Sequence, residues 1–86
     1  MDLELSRVFK KRLRKKPAEQ KRRVLRTMKL LSADVWHPGL HTHKVEGTQS
    51  IFEAYADDAA RITFEYIPGA ILLRNNCRHD AVLRSP

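Results

Sequence analysis

Arg61, Arg74 and His79 are the residues of this sequence whose types and spacing best suit chemistry, and the chemistry they suit is that of a phosphate. A guanidinium binds phosphate oxygens through paired N–H donors and keeps its charge at any ordinary pH. An imidazole gains or gives a proton near neutrality. A β-hairpin from Ala60 onward would bring the three together. Ile62, Phe64 and Tyr66 alternate with Arg61, Thr63 and Glu65, which is the period of a strand. Pro68-Gly69 reads as a turn, with Pro presetting φ and Gly taking the positive φ. If Ile67 opposes Ala70, then Phe64 opposes Leu73, Thr63 opposes Arg74 and Arg61 opposes Asn76. One face is then apolar (Ile62, Phe64, Tyr66, Ile71, Leu73). The other collects Arg61, Thr63, Arg74 and Asn76, with His79 just past the strand end. A slip of one residue would exchange the faces of one strand.

The elements that must position this hairpin can be read upstream. Leu3-Glu4-Leu5 is a short strand. Ser6 suits a helix N-cap, and Val8, Phe9 and Leu13 follow as an apolar stripe. Pro17 ends that helix and suits the first turn of a second one, with Glu19 near its positive end. The second helix runs to about Leu31, with Val24, Leu25, Met28 and Leu31 on one face and Lys21, Arg22, Arg26 and Lys29 elsewhere. Residues 32–50 hold Pro38, Gly39, Gly47 and three histidines without a period, so they form a loop with a short extended piece at Lys44-Val45. Ile51 to Ala56 is a strand whose inward set is either Phe52/Ala54/Ala56 or Ile51/Glu53/Tyr55. Asp57-Asp58-Ala59 is a turn. The order predicts an α+β domain: a short N-terminal strand, an αα-hairpin, then an antiparallel β-meander, with helices on one face and the other face open.

The chain has 86 residues, enough for one domain over 1–86 with one modest core. Its net charge of +7 is unevenly placed. Residues 1–33 carry 12 Lys/Arg against three Asp/Glu, a charge of +9, while residues 34–86 carry five against seven, a charge of −2. The cationic half favours a polyanionic partner: nucleic acid, an acidic protein or an anionic surface. The helical stripes are more simply core contacts than a membrane-binding face, and no apolar run reaches the roughly 18 residues that span a bilayer. The single cysteine, Cys77, cannot form an internal disulfide, in keeping with a reducing cytoplasm. His37, His41, His43, Cys77 and His79 match no common zinc spacing, and the three glycines form no phosphate loop, so neither a metal nor another cofactor is expected.

The sequence resembles the RelE/ParE superfamily of toxins from toxin–antitoxin operons, over nearly its whole length and in order. The matching pieces are Phe9-Lys-Lys-Arg-Leu13, His37-Pro-Gly-Leu40, His43-Lys-Val-Glu-Gly47, Ala60-Arg-Ile-Thr-Phe64 (like the family's Y-R-I-I-F) and Arg78-His-Asp-Ala-Val82 (like its terminal H-D-x-V-Y). No single piece is diagnostic; the ordered set is. The resemblance implies a toxin held inactive by a cognate antitoxin, with one of two activities. RelE-like members cut mRNA in the ribosomal A site, and ParE-like members poison DNA gyrase without being nucleases.

Individual residues favour the RelE-like branch. Metal-free RNA cleavage needs a base for the ribose 2′-OH, cations for the charge on phosphorus and an acid for the leaving 5′-oxygen. The resemblance places Arg61 at the scissile phosphate and makes His79 and His43 the candidate acid and base. It leaves Lys44, Arg74 and Arg78 as contacts to RNA backbone. Leu83 stands where many relatives carry Tyr or Phe; it can pack against a substrate base but cannot donate a proton or stack well. The lack of a dense lysine cluster also departs from the RelE type. The expected function is a ribosome-dependent mRNA endoribonuclease that leaves a 2′,3′-cyclic phosphate and a 5′-OH. A ParE-like gyrase inhibitor and a non-catalytic RNA- or protein-binding module are the alternatives. The partners implied are an antitoxin and the ribosome with its mRNA and rRNA, or gyrase.

Overall fold

A computed structural model of the chain describes residues 1–84 and 86. The order is β1 (Asp2–Leu5), α1 (Arg7–Lys15), α2 (Ala18–Ala33), a 3-10 turn at Pro38–Leu40, β2 (His43–Lys44), β3 (Phe52–Tyr55), β4 (Ala60–Ile67), β5 (Ala70–Arg78) and a 3-10 turn at His79–Ala81. The five strands form one sheet in the order β1-β5-β4-β3-β2. The α+β architecture is the one expected, with one addition: β1 pairs with β5 in parallel, Asp2 opposite Ala70 through Leu5 opposite Leu73, so the sheet is mixed.

Local chemistry sets the helix boundaries. The Ser6 hydroxyl accepts from Phe9 N at 3.1 Å, capping α1, and donates to Arg74 O at 2.7 Å, tying that cap to β5. Arg12, Arg14 and Lys15 occupy the last turn of α1, where the helix dipole favours cations. Pro17 then stands as the cap of α2. The core joins Phe9, Val24, Leu31, Val35, Leu40, Ala54, Ile62, Phe64, Ile71 and Leu73. Phe52 stacks on Phe64 with centroids 5.7 Å apart. Burying a side chain such as Phe64 contributes about 1.5–3 kcal/mol, and truncating it to Ala would cost about 3–5 kcal/mol.

Three expectations about facing are corrected. Leu25 is 47% exposed, and Thr27 takes the inward position, its hydroxyl satisfied by donation to Arg23 O. Val8 is 50% exposed while Phe9 is fully buried, because a helix of nine residues turns only one narrow stripe to the sheet. Tyr66 is 43% exposed at the far end of the apolar face, touching Phe52 and Phe64 edge-on.

The hairpin register is right at the turn and wrong beyond it. Ile67 opposes Ala70 and Phe64 opposes Leu73, but a bulge follows. Thr63 opposes Asn75, not Arg74, and Arg61 opposes Cys77, not Asn76. The extra residue is Arg74. An odd insertion reverses the facing of all that comes after it. Asn76 therefore faces the core beside Ile62 and donates to Phe9 O at 3.0 Å. Cys77 joins the Arg61 side, where it packs with Val45 and Val82. That second, smaller apolar cluster docks the C-terminal turn against the sheet, so the face expected to lie open is partly covered.

Candidate active site

The strand ambiguity is resolved in favour of Phe52 and Ala54 inward, which turns Glu53 and Tyr55 to the face that carries Thr63 and Arg61. His43 lies directly opposite Glu53 on β2. Its Nε2 is 2.5 Å from Glu53 Oε1, and its Nδ1 is 2.7 Å from the carbonyl oxygen of His41. His41 is the one non-glycine residue with positive φ among those described (51°), at the end of the Pro38–Leu40 turn. The turn is fixed by His37, whose Nδ1 accepts from Gly39 N at 3.0 Å, and by Thr42, whose hydroxyl donates to Val35 O. The left-handed twist at His41 aims its carbonyl at the His43 ring.

A cleft of about 320 Å³ is lined by His43, Lys44 and Glu53 from the β2–β3 side and by His79, Val82 and Leu83 from the C-terminal turn. Two candidate catalytic residues, His43 and His79, and two candidate binding residues, Lys44 and Leu83, thus share one hollow. The pieces come from distant parts of the chain. His79 is anchored by its backbone N–H, which donates to Ala59 O at 2.7 Å, and Val82 fixes the turn by packing on Val45 and Cys77. Leu83, 65% exposed, stands at the rim.

Arg61, expected at the scissile phosphate, does not line this cleft. It is 8% exposed. Its Nη1 donates to the carbonyls of Asp57, Asp58 and Ala60 at 2.8, 3.2 and 3.1 Å. Its guanidinium lies 3.4 Å from the centroid of the Tyr55 ring, a cation–π contact. Tyr55 in turn meets the rings of His41 at 4.9 Å and His43 at 6.1 Å. Arg61 is therefore joined to His43 through Tyr55, with its Nη1 committed to the turn carbonyls.

The same turn is built by Asp57. Its Oδ1 accepts from Ala59 N and Ala60 N, both at 2.8 Å, and its Oδ2 faces Arg23 Nη1 at 3.1 Å. Burial alone would raise the Asp57 carboxyl, but the two backbone donors and the Arg23 guanidinium together outweigh it and hold it below the usual carboxylate range.

Arg74 and Arg78 do not line the cleft. Arg74 Nη1 pairs with Glu65 at 2.7 Å and its Nε approaches Pro86 O at 3.4 Å. Arg78 is exposed, 3.8 Å from Asp80, and lines a separate hollow of about 510 Å³ with Arg12, Lys15, Lys16 and Arg84. Burial lowers the Lys16 ammonium from its usual range. Burial likewise raises the neighbouring Cys77 thiol. The cations of α1 make no ion pair among the described residues, whereas Arg22 and Arg23 of α2 meet Glu19. Among the described residues no three His, Cys, Asp or Glu side chains converge to hold a metal ion, and no helix is long and apolar enough to cross a membrane.

Glu53 and Tyr55 are the site residues that sequence reasoning leaves out. The signal was present in the alternation of Phe52-Glu-Ala-Tyr55, with Phe52 stacked under Phe64 in the fold. From the sequence, however, Ile51 and Tyr55 made the opposite face equally apolar.

No protein-family model matches the sequence, and no curated protein matches it. Solved structures do match its fold. The toxin in an archaeal RelE–RelB complex from Pyrococcus horikoshii superposes with a TM-score of 0.71 at 20% identity, over 90% of this chain and 92% of that one. YafQ from E. coli gives 0.72 at 16% identity, over 94% and 96%. A YoeB/ParE toxin from Agrobacterium tumefaciens gives 0.75 at 7% identity, over 92% and 99%. The fold is that of the RelE/ParE toxin superfamily.

Proposed function

We propose that this chain, with its RelE/ParE toxin fold, is the toxin of a toxin–antitoxin pair and a ribosome-dependent mRNA endoribonuclease acting in the cytoplasm. The observation that supports this most directly is that His43 and His79, 36 residues apart in sequence, line one cleft. Two proton-transfer groups across a hollow suit attack by a ribose 2′-oxygen on the adjacent phosphorus, with departure of the 5′-oxygen. The products are a 2′,3′-cyclic phosphate and a 5′-OH, and the reaction needs no cofactor. Lys44, beside the cleft, contributes positive charge. Leu83 at the rim offers an apolar surface to a substrate base, and Arg61 contributes charge to the phosphate. Arg74, Arg78 and the cations of α1 hold rRNA or mRNA backbone by a salt-sensitive attraction.

An antitoxin is the second partner. The neighbouring RelE toxins of P. horikoshii and Methanococcus jannaschii were solved with RelB, and YafQ was solved with DinJ. By analogy an acidic partner segment would cover the cationic surface of this chain and bar it from the ribosome.

The rival reading is a ParE-like, non-enzymatic inhibitor of DNA gyrase. It is favoured by the buried, carbonyl-bound state of Arg61 and by the aliphatic Leu83. The two readings part on His43→Ala and His79→Ala. Loss of growth arrest in both folded variants supports the nuclease; retained arrest supports gyrase. Absence of arrest with the wild-type chain would leave a binding module that lacks catalysis.

A further inference from the structure

Both nitrogens of the His43 ring face acceptors, and that fixes a proton count. A carbonyl oxygen has no proton to give, so Nδ1, 2.7 Å from His41 O, must carry a hydrogen. Nε2 and Glu53 Oε1 are 2.5 Å apart, a separation that two lone pairs do not tolerate without a proton between them. A carboxylic acid is a stronger acid than an imidazolium. Both contacts are satisfied when the second proton sits on Nε2 and His43 donates from both nitrogens. The contact is set by backbone, since His43 and Glu53 are directly opposed on β2 and β3 and the His41 carbonyl is turned by its left-handed φ.

We propose that His43 and Glu53 form a proton-loaded dyad that serves as the general acid of the cleft, with Glu53 as its positioning residue and His79 as the general base. The catalytic half of this assignment rests on the nuclease reading; the proton count does not. In the step, the ribose 2′-oxygen forms a bond to phosphorus as its proton passes to His79. The bond from phosphorus to the 5′-oxygen breaks as that oxygen displaces Glu53 Oε1 from the Nε2 hydrogen and takes the proton. One proton enters His79 and one leaves the dyad, so the count closes, and water returns both groups to their starting states. The discharged dyad would oppose a carboxylate to an imidazole lone pair, which favours its reloading. A lone neutral histidine at this position would start the reaction without the proton it must give. The other titratable or charged groups about His43 are Lys44 on its own strand, Tyr55 on β3, Glu46 in the loop, His41 before the strand and His79 across the cleft.

The test uses the full chain labelled with ¹⁵N-histidine, with nitrogen resonances read by NMR at pH 7.5 and His43 assigned by a His43→Gln variant. The wild type is expected to show proton-bearing Nδ1 and Nε2 at His43, and Glu53→Gln is expected to convert that ring to a single-proton form. A wild-type His43 with a bare Nε2 at pH 7.5 overturns the dyad, whatever the variant does. Ribosome-dependent cleavage is then followed against pH. Loss of the acid limits the rate at high pH, and removing the carboxylate removes what holds the proton on Nε2, so Glu53→Gln should move the alkaline limb to lower pH. An unmoved limb in a folded Glu53→Gln variant reduces Glu53 to a strand-pairing residue and overturns its positioning role. A wild type that shows the loaded ring but cleaves nothing overturns the catalytic role and the nuclease reading together, leaving the proton count intact.

Discussion

Asp57 and Arg61 build one five-residue turn from opposite directions: the carboxylate takes the turn's N–H groups and the guanidinium takes its carbonyls. Asp57 is held below its usual range, so its contribution to stability is complete above the unfolded carboxylate range and is lost as pH falls through the lower, folded value. Acid unfolding should therefore show a component below about pH 4 that Asp57→Asn removes, measurable by thermal melts between pH 2.5 and 6. Arg61→Lys keeps the charge but loses the flat contact on Tyr55 and the extra length that carries Nη1 to the three carbonyls. It should destabilise the chain by about 1–3 kcal/mol in denaturant titration, which makes Arg61 a poor position for testing chemistry alone. Leu83 is the converse case: exposed at the cleft rim, it can be changed without touching the core. Leu83→Tyr should speed cleavage on ribosomes about ten-fold, since an aromatic under a base is worth about 1–3 kcal/mol. A slower variant would mean that no base lies there.

At the scale of elements, the cleft depends on the C-terminal turn staying on the sheet. Val82 is the residue that holds it, in a cluster with Val45 and Cys77 apart from the main core. Val82→Ala should cost about 1–2 kcal/mol and lower activity by more than that loss explains, because His79 and Leu83 move with the turn. Far-UV circular dichroism should stay unchanged while cleavage falls. What the sequence made legible at this scale was whatever repeats: the alternation of β4, the Ser6 cap, the Pro17 break and the Pro68-Gly69 turn. What it hid was a single event, the bulge at Arg74. Nothing in Leu72-Leu-Arg-Asn-Asn-Cys77 marks which residue is extra, and both asparagines are plausible on either face. Only the Phe9 carbonyl, supplied by α1 from 67 positions away, rewards turning Asn76 inward. The same blindness applied to β3. Its facing is decided by the partner Phe64 and not by its own pattern, and Glu53 and Tyr55 were missed with it. Leu25 faces out and Thr27 faces in for a similar reason: the helix stripe that meets the sheet is narrow.

Over the whole molecule, charge and chemistry are divided between the two halves. The helical part carries more than the whole net positive charge, +9 over residues 1–33 against a total of +7, and the sheet carries the cleft. Such a molecule should bind polyanions steeply in salt and without sequence preference. Replacing Lys10, Lys11 and Arg14 by Gln should reduce the slope of log affinity against log salt by about 2 for single-stranded RNA, leaving the His43 and His79 geometry untouched. An unchanged slope would place the polyanion elsewhere.

The most direct test of the nuclease account is to map 5′ ends on total mRNA after brief induction of the wild type and of a His43→Ala/His79→Ala double variant. New 5′-OH ends inside translated frames are expected with the wild type and none with the folded double variant. Intact messages during wild-type growth arrest, or cleavage that survives loss of both histidines, would contradict it.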